Sequence, residues 1–240
     1  MSESVRSFVE VGSNWSVSQD VMHPEYTIPD SVLWHVVRSL HLDEPHQIGI
    51  DPMCGNGTNV SFINEVGGNC YGIELDGHTY KIARTTMLRI EPIDSLGWLT
   101  GQLPEVVQGD CTEVVLRDAS GAPLPARYIY TSPPFRELLD GTLGDHIVPA
   151  FSEMLLPPGS LSFVVIDSAD KAIRDGVTIK PAAATVEYFE RSGFSLLDSI
   201  AFYITNVPRG CDDQFTELMF VRQEELEAWR RINPMPLSGR

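Results

Sequence analysis

The chain has 240 residues, enough for one α/β domain with its own core. Hydrophobic residues make up 42% and charged residues 21%, the proportions of a soluble globular protein, and no apolar run is long enough to suggest a membrane-spanning helix. Seventeen Lys and Arg face 33 Asp and Glu, for a net charge of -16, so a broad basic surface for duplex phosphates is not expected.

The first residues, Met-Ser-Glu-Ser-Val-Arg, carry no basic-then-apolar signal pattern, and a cytoplasmic location is expected. Cys54, Cys70, Cys111 and Cys211 are scattered without CxxC spacing. They suit free thiols in a reducing compartment, with no metal site expected. Residues 1–20 read as an extension of a single 1–240 domain. Pro29-Asp30 opens a helix to about Leu42, with Val32, Leu33, Val36, Val37 and Leu40 at helical spacing. A strand over 47–51 leads into a glycine-bearing loop. The helix over 58–66 that follows stops at Gly67-Gly68. Next come a strand over 69–74 and a helix over 76–90. Residues 91–106, with Pro92, Gly97, Gly101 and Pro104, read as an irregular insertion. Short strands then end at Gly109-Asp110 and at Tyr130. A helix over 146–156 stops at Pro157-Pro158-Gly159. A strand over 161–167, a helix over 180–192, a hairpin of strands 195–204 and 215–222, and a helix over 223–231 complete the body. Residues 232–240 form a tail. This alternation predicts a mostly parallel sheet with helices on both faces.

Asp51-Pro-Met-Cys-Gly-Asn-Gly-Thr-Asn59 follows the apolar Ile48-Gly49-Ile50. An acid at a strand end, two glycines and a helix start form a loop whose backbone can approach a ligand. In open α/β sheets the ligand crevice lies outside the carboxyl ends of the strands. Glu74 ends the next strand, at the spacing of a ribose-binding acid, and Asp110 ends the third. Three acids in register would repel a pyrophosphate. They suit a nucleoside that carries an ammonium and a sulfonium, which is S-adenosylmethionine (SAM). Glu74 would hold the ribose diol, Asp110 would accept from the adenine amino group, and Asp51 would sit near the amino-acid end, directly or through water.

Tyr130-Thr-Ser-Pro-Pro-Phe135 closes the fourth strand. Its two prolines fix φ and keep the loop out of helix. Ser132 and the carbonyl of Pro133, beside Pro134 with no N–H, make a rigid acceptor pair, and Phe135 offers a flat face. That set suits a planar amino group attached to a conjugated ring. Accepting both of its N–H bonds frees the nitrogen lone pair, and methyl transfer then depends mainly on in-line placement.

These two loops resemble the cofactor and catalytic loops of amino-group (N4-cytosine and N6-adenine) DNA methyltransferases, with Ser132 before the prolines most like the N4-cytosine type. His23-Pro24-Glu25-Tyr26-Thr27-Ile28-Pro29 resembles the segment that in that family closes over the methionine part. The resemblance implies a class I SAM-dependent methyltransferase, a Rossmann-like three-layer α/β sandwich with a mostly parallel seven-stranded sheet and a C-terminal antiparallel hairpin. It implies catalysis by Ser132, Pro133, Pro134 and Phe135. It implies cofactor binding by His23, Pro24, Asp51, Met53, Cys54, Gly55, Gly57, Thr58, Glu74, Leu75, Asp110 and Cys111. Only Arg136–Ala150 separates the catalytic loop from the body of the next helix, and no region of the size of a DNA-recognition domain is evident. The acceptor expected is therefore a nucleobase amino group in single-stranded or structured nucleic acid, not in duplex DNA. A small-molecule or peptide N-methyltransferase is the alternative enzyme, and a SAM-binding subunit without turnover the alternative that is not an enzyme. His78 and His146 read as surface or helix positions, and Trp34 and Trp98 as packing.

Overall fold

The computed structural model describes residues 7–12, 30–40, 47–88, 104–132, 142–166, 172–174, 177–179, 181–205 and 214–232. Most of the expected insertion, the tail, His23, Pro24 and Pro133–Phe135 lie outside these. The chain groups into two compact units. One comprises Leu33–Thr131 with Pro149–Pro157. The other comprises Met1–Val32, Ser132–Val148 and Pro158–Arg240.

In the first unit four strands run parallel in the order β5-β2-β3-β4. They are β2 (Ile48–Asp51), β3 (Asn69–Glu74), β4 (Val106–Gln108) and β5 (Ala126–Thr131). Every residue of β2 is buried, as are Asn69–Ile73 of β3 and Tyr128–Thr131 of β5, which is why these segments read as continuous rather than alternating apolar runs. The chain steps from β2 outward through β3 to β4, then returns to β5 on the other side of β2. The strand order therefore reverses at the carboxyl end of β2, where Asp51 stands.

Helix α1 (Asp30–Leu40) buries Val32, Leu33, Val36 and Val37 and leaves Trp34 partly exposed. Trp34 meets Phe62 edge-on and carries the Arg38 guanidinium 5.2 Å from its ring centroid. Helix α2 (Thr58–Glu65) packs on β3, and α3 (Gly77–Met87) on β4. The end of α2 is set by paired bonds from Gly68 N to Ile63 O and from Gly67 N to Asn64 O, the carbonyl-capping pattern of a helix that stops at glycine. At the start of α3 the Asp76 carboxylate accepts from His78 N and Thr79 N.

The second unit holds strands β1 (Ser7–Gly12), β6 (Leu155–Ile166), β9 (Phe194–Thr205) and β10 (Gln214–Arg222) in the order β1-β9-β10-β6. The β9–β10 hairpin is antiparallel, as expected, with a bulge between Met219 and Phe220. Helix α5 (Pro181–Arg191) packs on it, with Phe189 stacked on Phe220 at 4.8 Å. Helix α6 (Leu226–Ile232) follows a 3-10 turn over Gln223–Glu225.

Seven strands were expected, and the described residues hold more. Each unit has four, and β7 (Ala172–Arg174) pairs with β8 (Val177–Ile179) as a separate ribbon. One source of the difference is Ser7–Gly12, read from sequence as an extension, which pairs in parallel with Ile200–Thr205. Helix α4 spans Thr142–Met154 instead of 146–156, with Pro149 inside it, and Pro157-Pro158-Gly159 lies within β6 instead of forming a turn. A residue before proline is driven out of the helical region, so Leu156 and Pro157 are already extended and the helix ends earlier. Arg127 donates to Pro157 O, and Gly159 N donates to the buried Glu225, which pairs with Arg222. Among the described residues no helix is long and apolar enough to cross a membrane.

Candidate functional site

The candidate cofactor loop leaves the end of β2 at the point where strand order reverses. Asp51 is fully buried. One carboxylate oxygen accepts from Met53 N at 3.2 Å and the other from Asn59 Nδ2 at 3.1 Å. Burial is the chief cause that lifts its pKa from 3.8 to about 6, against these donors and the nearby Thr131, while the charge of Glu74 adds to the rise. The Thr131 hydroxyl itself is buried without a partner at hydrogen-bond geometry.

The far side of the loop is tied to β3. Cys54 N donates to Ile73 O at 3.0 Å, and Gly55 N donates to Glu74 Oε2 at 2.9 Å. Gly55 adopts φ +56, and a Cβ built there meets nothing within 4 Å, so this stretch of backbone faces open space. Gly57 has φ +83, and a Cβ there would come within 3.1 Å of the Ala83 backbone in α3. Only glycine allows both the turn and the close approach of α2 to α3. Thr58 donates its hydroxyl to Asn56 Oδ1 at 2.7 Å, which steadies the helix start.

Glu74 is half-buried. Its Oε1 accepts from Asp76 N at 2.8 Å while Oε2 holds Gly55. Burial pushes this carboxyl above its ordinary value, against both backbone donors. Leu75 beside it is 67% exposed, an apolar side chain standing in solvent at a strand end. Asp110, exposed past β4, accepts from the Thr112 amide and hydroxyl through Oδ1 and is held below the ordinary carboxylate value. Cys111 is buried next to it, its thiol pushed up to about 11, chiefly by burial. Burial also pushes Cys54 and Cys70 well above the ordinary thiol value, so none of the three is an activated nucleophile. Among the described residues no three His, Cys, Asp or Glu gather as a metal site.

Asp51, Met53, Cys54, Gly55, Gly57, Thr58, Glu74, Leu75, Asp110 and Cys111 thus all lie at or just past the carboxyl ends of β2, β3 and β4. Ser132 is half-buried directly after β5. The remaining candidates, His23, Pro24, Pro133, Pro134 and Phe135, lie outside the described residues. Two contributors went unassigned in the sequence reading, Asn59 and Thr131. Both fall inside quoted motifs, but their role depends on pointing at Asp51, which spacing alone does not give.

The donor set fits a cationic nucleoside. Carboxylates stand at three neighbouring strand ends, open backbone lies at Gly55, and an exposed apolar side chain follows the ribose-spaced acid. No protein-family model matches the chain, and no curated protein does. Solved structures do. The glycopeptide N-methyltransferase MtfA matches 80% of this chain with 89% of its own, at 13% identity and TM-score 0.55. Magnesium protoporphyrin IX methyltransferase from Synechocystis, with bound SAM, matches 80% of this chain with 77% of its own, at 16% identity and TM-score 0.51. A putative RNA methyltransferase from Pyrococcus horikoshii matches 80% with 82%, at 13% identity and TM-score 0.51. With its parallel strands and antiparallel hairpin, the chain has the fold of the class I SAM-dependent methyltransferases.

Proposed function

We propose that the chain is a SAM-dependent N-methyltransferase acting on an amino group conjugated to a planar system, a nucleobase amino group of the cytosine N4 type. The observation that carries the cofactor part of this reading is the open backbone of Gly55, set between buried Asp51 and ribose-spaced Glu74 at the reversal of strand order, while the acceptor part rests on the Ser132-Pro-Pro-Phe135 sequence. When bound, SAM supplies a methyl group on a sulfonium. Glu74 holds the ribose diol with the lone pairs left beyond its two backbone bonds. Asp110 accepts from the adenine amino group while Thr112 fixes its orientation. Leu75 covers the adenine face. Asp51 contributes negative charge from behind the loop. Ser132 and the Pro133 carbonyl accept the N–H bonds of the acceptor amine, and Phe135 stacks on its ring.

The nucleic acid envisaged is single-stranded or structured. Of the arginines that could grip phosphates, Arg84 stands on α3, Arg127 on β5 and Arg117 in the segment between β4 and β5, and the latter two each donate to a backbone carbonyl, while Arg89 and Arg136 lie outside the described residues. A small-molecule or peptide acceptor is the second reading, favoured by the net charge of -16. The similar folds include proteins described as acting on RNA, a porphyrin and a glycopeptide, so the fold is compatible with each acceptor and selects none.

Calorimetry with SAM tests the cofactor. Asp51→Ala and Glu74→Ala are each expected to weaken binding by about 1.5–3 kcal/mol. Ser132→Ala and Phe135→Ala are expected to keep SAM affinity and lose turnover on the acceptor found by incubating labelled SAM with nucleic-acid and metabolite pools. Unchanged SAM affinity in both acid variants would overturn the cofactor reading. Full turnover in either loop variant would overturn the catalytic one.

A further inference from the structure

Asn59 is an amide in the first turn of a helix, buried to 7% exposure. Short polar residues there usually bond the local backbone. This one reaches back eight residues, and its Nδ2 donates to Asp51 Oδ2 at 3.1 Å. The bond spans the whole glycine loop and joins its two ends. The other oxygen of Asp51 is taken by Met53 N, and the helix N-cap Gly57 makes no side-chain cap. On its other side the loop hangs from β3 through Cys54 N and Gly55 N. The loop is thus pinned along both edges, and the Asn59 amide is the side-chain donor that ties the start of α2 to Asp51, with Thr131 of β5 close by. Because Asp51 is fully buried, it shapes the ligand site through the loop it anchors as well as by its charge.

We propose that Asn59 is a positioning residue of the cofactor site, which acts through Asp51 to fasten the start of α2 to the end of β2 and so fixes the shape of the glycine loop. This deepens the SAM-binding reading and rests on it for the ligand. The groups that face Asp51 are few. β3 presents Glu74 and Cys70, the loop presents Cys54, and Cys111 lies beyond Asp110. β5 presents neutral Thr131, and α2 presents Asn59 itself. The thiols stay neutral throughout the range below pH 8, so Glu74 is the one neighbour that titrates alongside. Removing the amide takes away a donor that favours the charged carboxylate, so the Asp51 midpoint moves up.

The test uses Asn59→Leu, of similar shape without the donor, and Asn59→Ser, which retains a shorter one. In the ligand-free chain, carboxyl carbon NMR follows the Asp51 titration, and amide hydrogen exchange follows Met53 and Gly55. The expected result for Asn59→Leu is an upward shift of the Asp51 midpoint with faster exchange at both amides, and for Asn59→Ser a partial return toward the parent. SAM affinity measured from about pH 5.5 to 8 should fall by about 10- to 100-fold at neutral pH in Asn59→Leu, with its acid limb moved upward. An Asp51 midpoint and loop exchange unchanged in both variants would overturn the role of Asn59. An equal loss of affinity at every pH, with no movement of the limb, would do the same. Failure of the parent chain to bind SAM would instead overturn the cofactor reading, and the ligand-free measurements would still decide on Asn59.

Discussion

Asp51 is under two opposed demands. A cationic cofactor favours its charged form, and complete burial disfavours it. Its folded midpoint of about 6 lies above the ordinary 3.8. Between those values the folded chain holds a proton that the unfolded chain releases, so stability declines as pH rises through this interval. The contribution is fully present below about pH 4 and lost above about pH 6. A displacement of about two pH units corresponds to about 3 kcal/mol. Asp51→Asn cannot ionise and should flatten this part of the profile. Urea denaturation of both proteins at several values between about pH 4 and 7 measures the difference. Parallel profiles would mean that the carboxyl does not carry this burial cost.

Among the elements, the two loop glycines separate folding from binding. Gly57 is held by its neighbour α3, whereas Gly55 faces open space. Both have positive φ, so alanine at either is strained by about 1 kcal/mol. Gly57→Ala must in addition push α3 away from α2, and a total loss of about 2–4 kcal/mol is expected. Gly55→Ala should cost only the backbone strain, yet its methyl group enters the crevice and should remove most SAM affinity. Denaturation midpoints and calorimetry on the two variants check the contrast. Equal stability losses, or full SAM affinity in Gly55→Ala, would contradict it. The same elements show what could be read from residue order. β2, β3 and the helices after them were legible because an apolar run, a glycine turn and a helical stripe follow one another, and the acids marked the strand ends. Ser7–Gly12 was not legible, since its partner lies in β9, far along the chain, and short strands at a sheet edge carry little periodicity. Pro157-Pro158-Gly159 misled because the same residues serve a turn or an extended segment. Asn59 could be seen as part of a motif, but its bond to Asp51 follows only from the turn of α2.

At the scale of the whole molecule, charge sets what can approach. With 17 basic and 33 acidic residues, counterion release from duplex phosphates is small. Duplex DNA is expected to bind weakly, while the overall charge does not exclude a single strand or folded RNA, whose bases can also be held by stacking. Salt titrations with duplex, single-stranded and structured nucleic acids under identical buffers compare them directly. Tight duplex binding with a steep salt slope would contradict the expectation and restore an ordinary DNA methyltransferase. No binding to any of the three would favour the small-molecule acceptor.

The parallel pairing of β1 with β9 governs the order in which the chain assembles. Ser7 lies opposite Ile200, so almost the whole chain must be synthesised before the first strand meets its neighbour. At ordinary translation rates that interval is roughly 10–40 s. The entropy of closing so long a loop must be overcome before the contact returns any stability, whereas the β9–β10 hairpin closes locally. The hairpin is therefore expected to form before β1 pairs with its outer edge. Until then two unsatisfied strand edges coexist on one nascent chain, which makes this the stage most open to pairing with another copy and the stage at which a chaperone has most to protect.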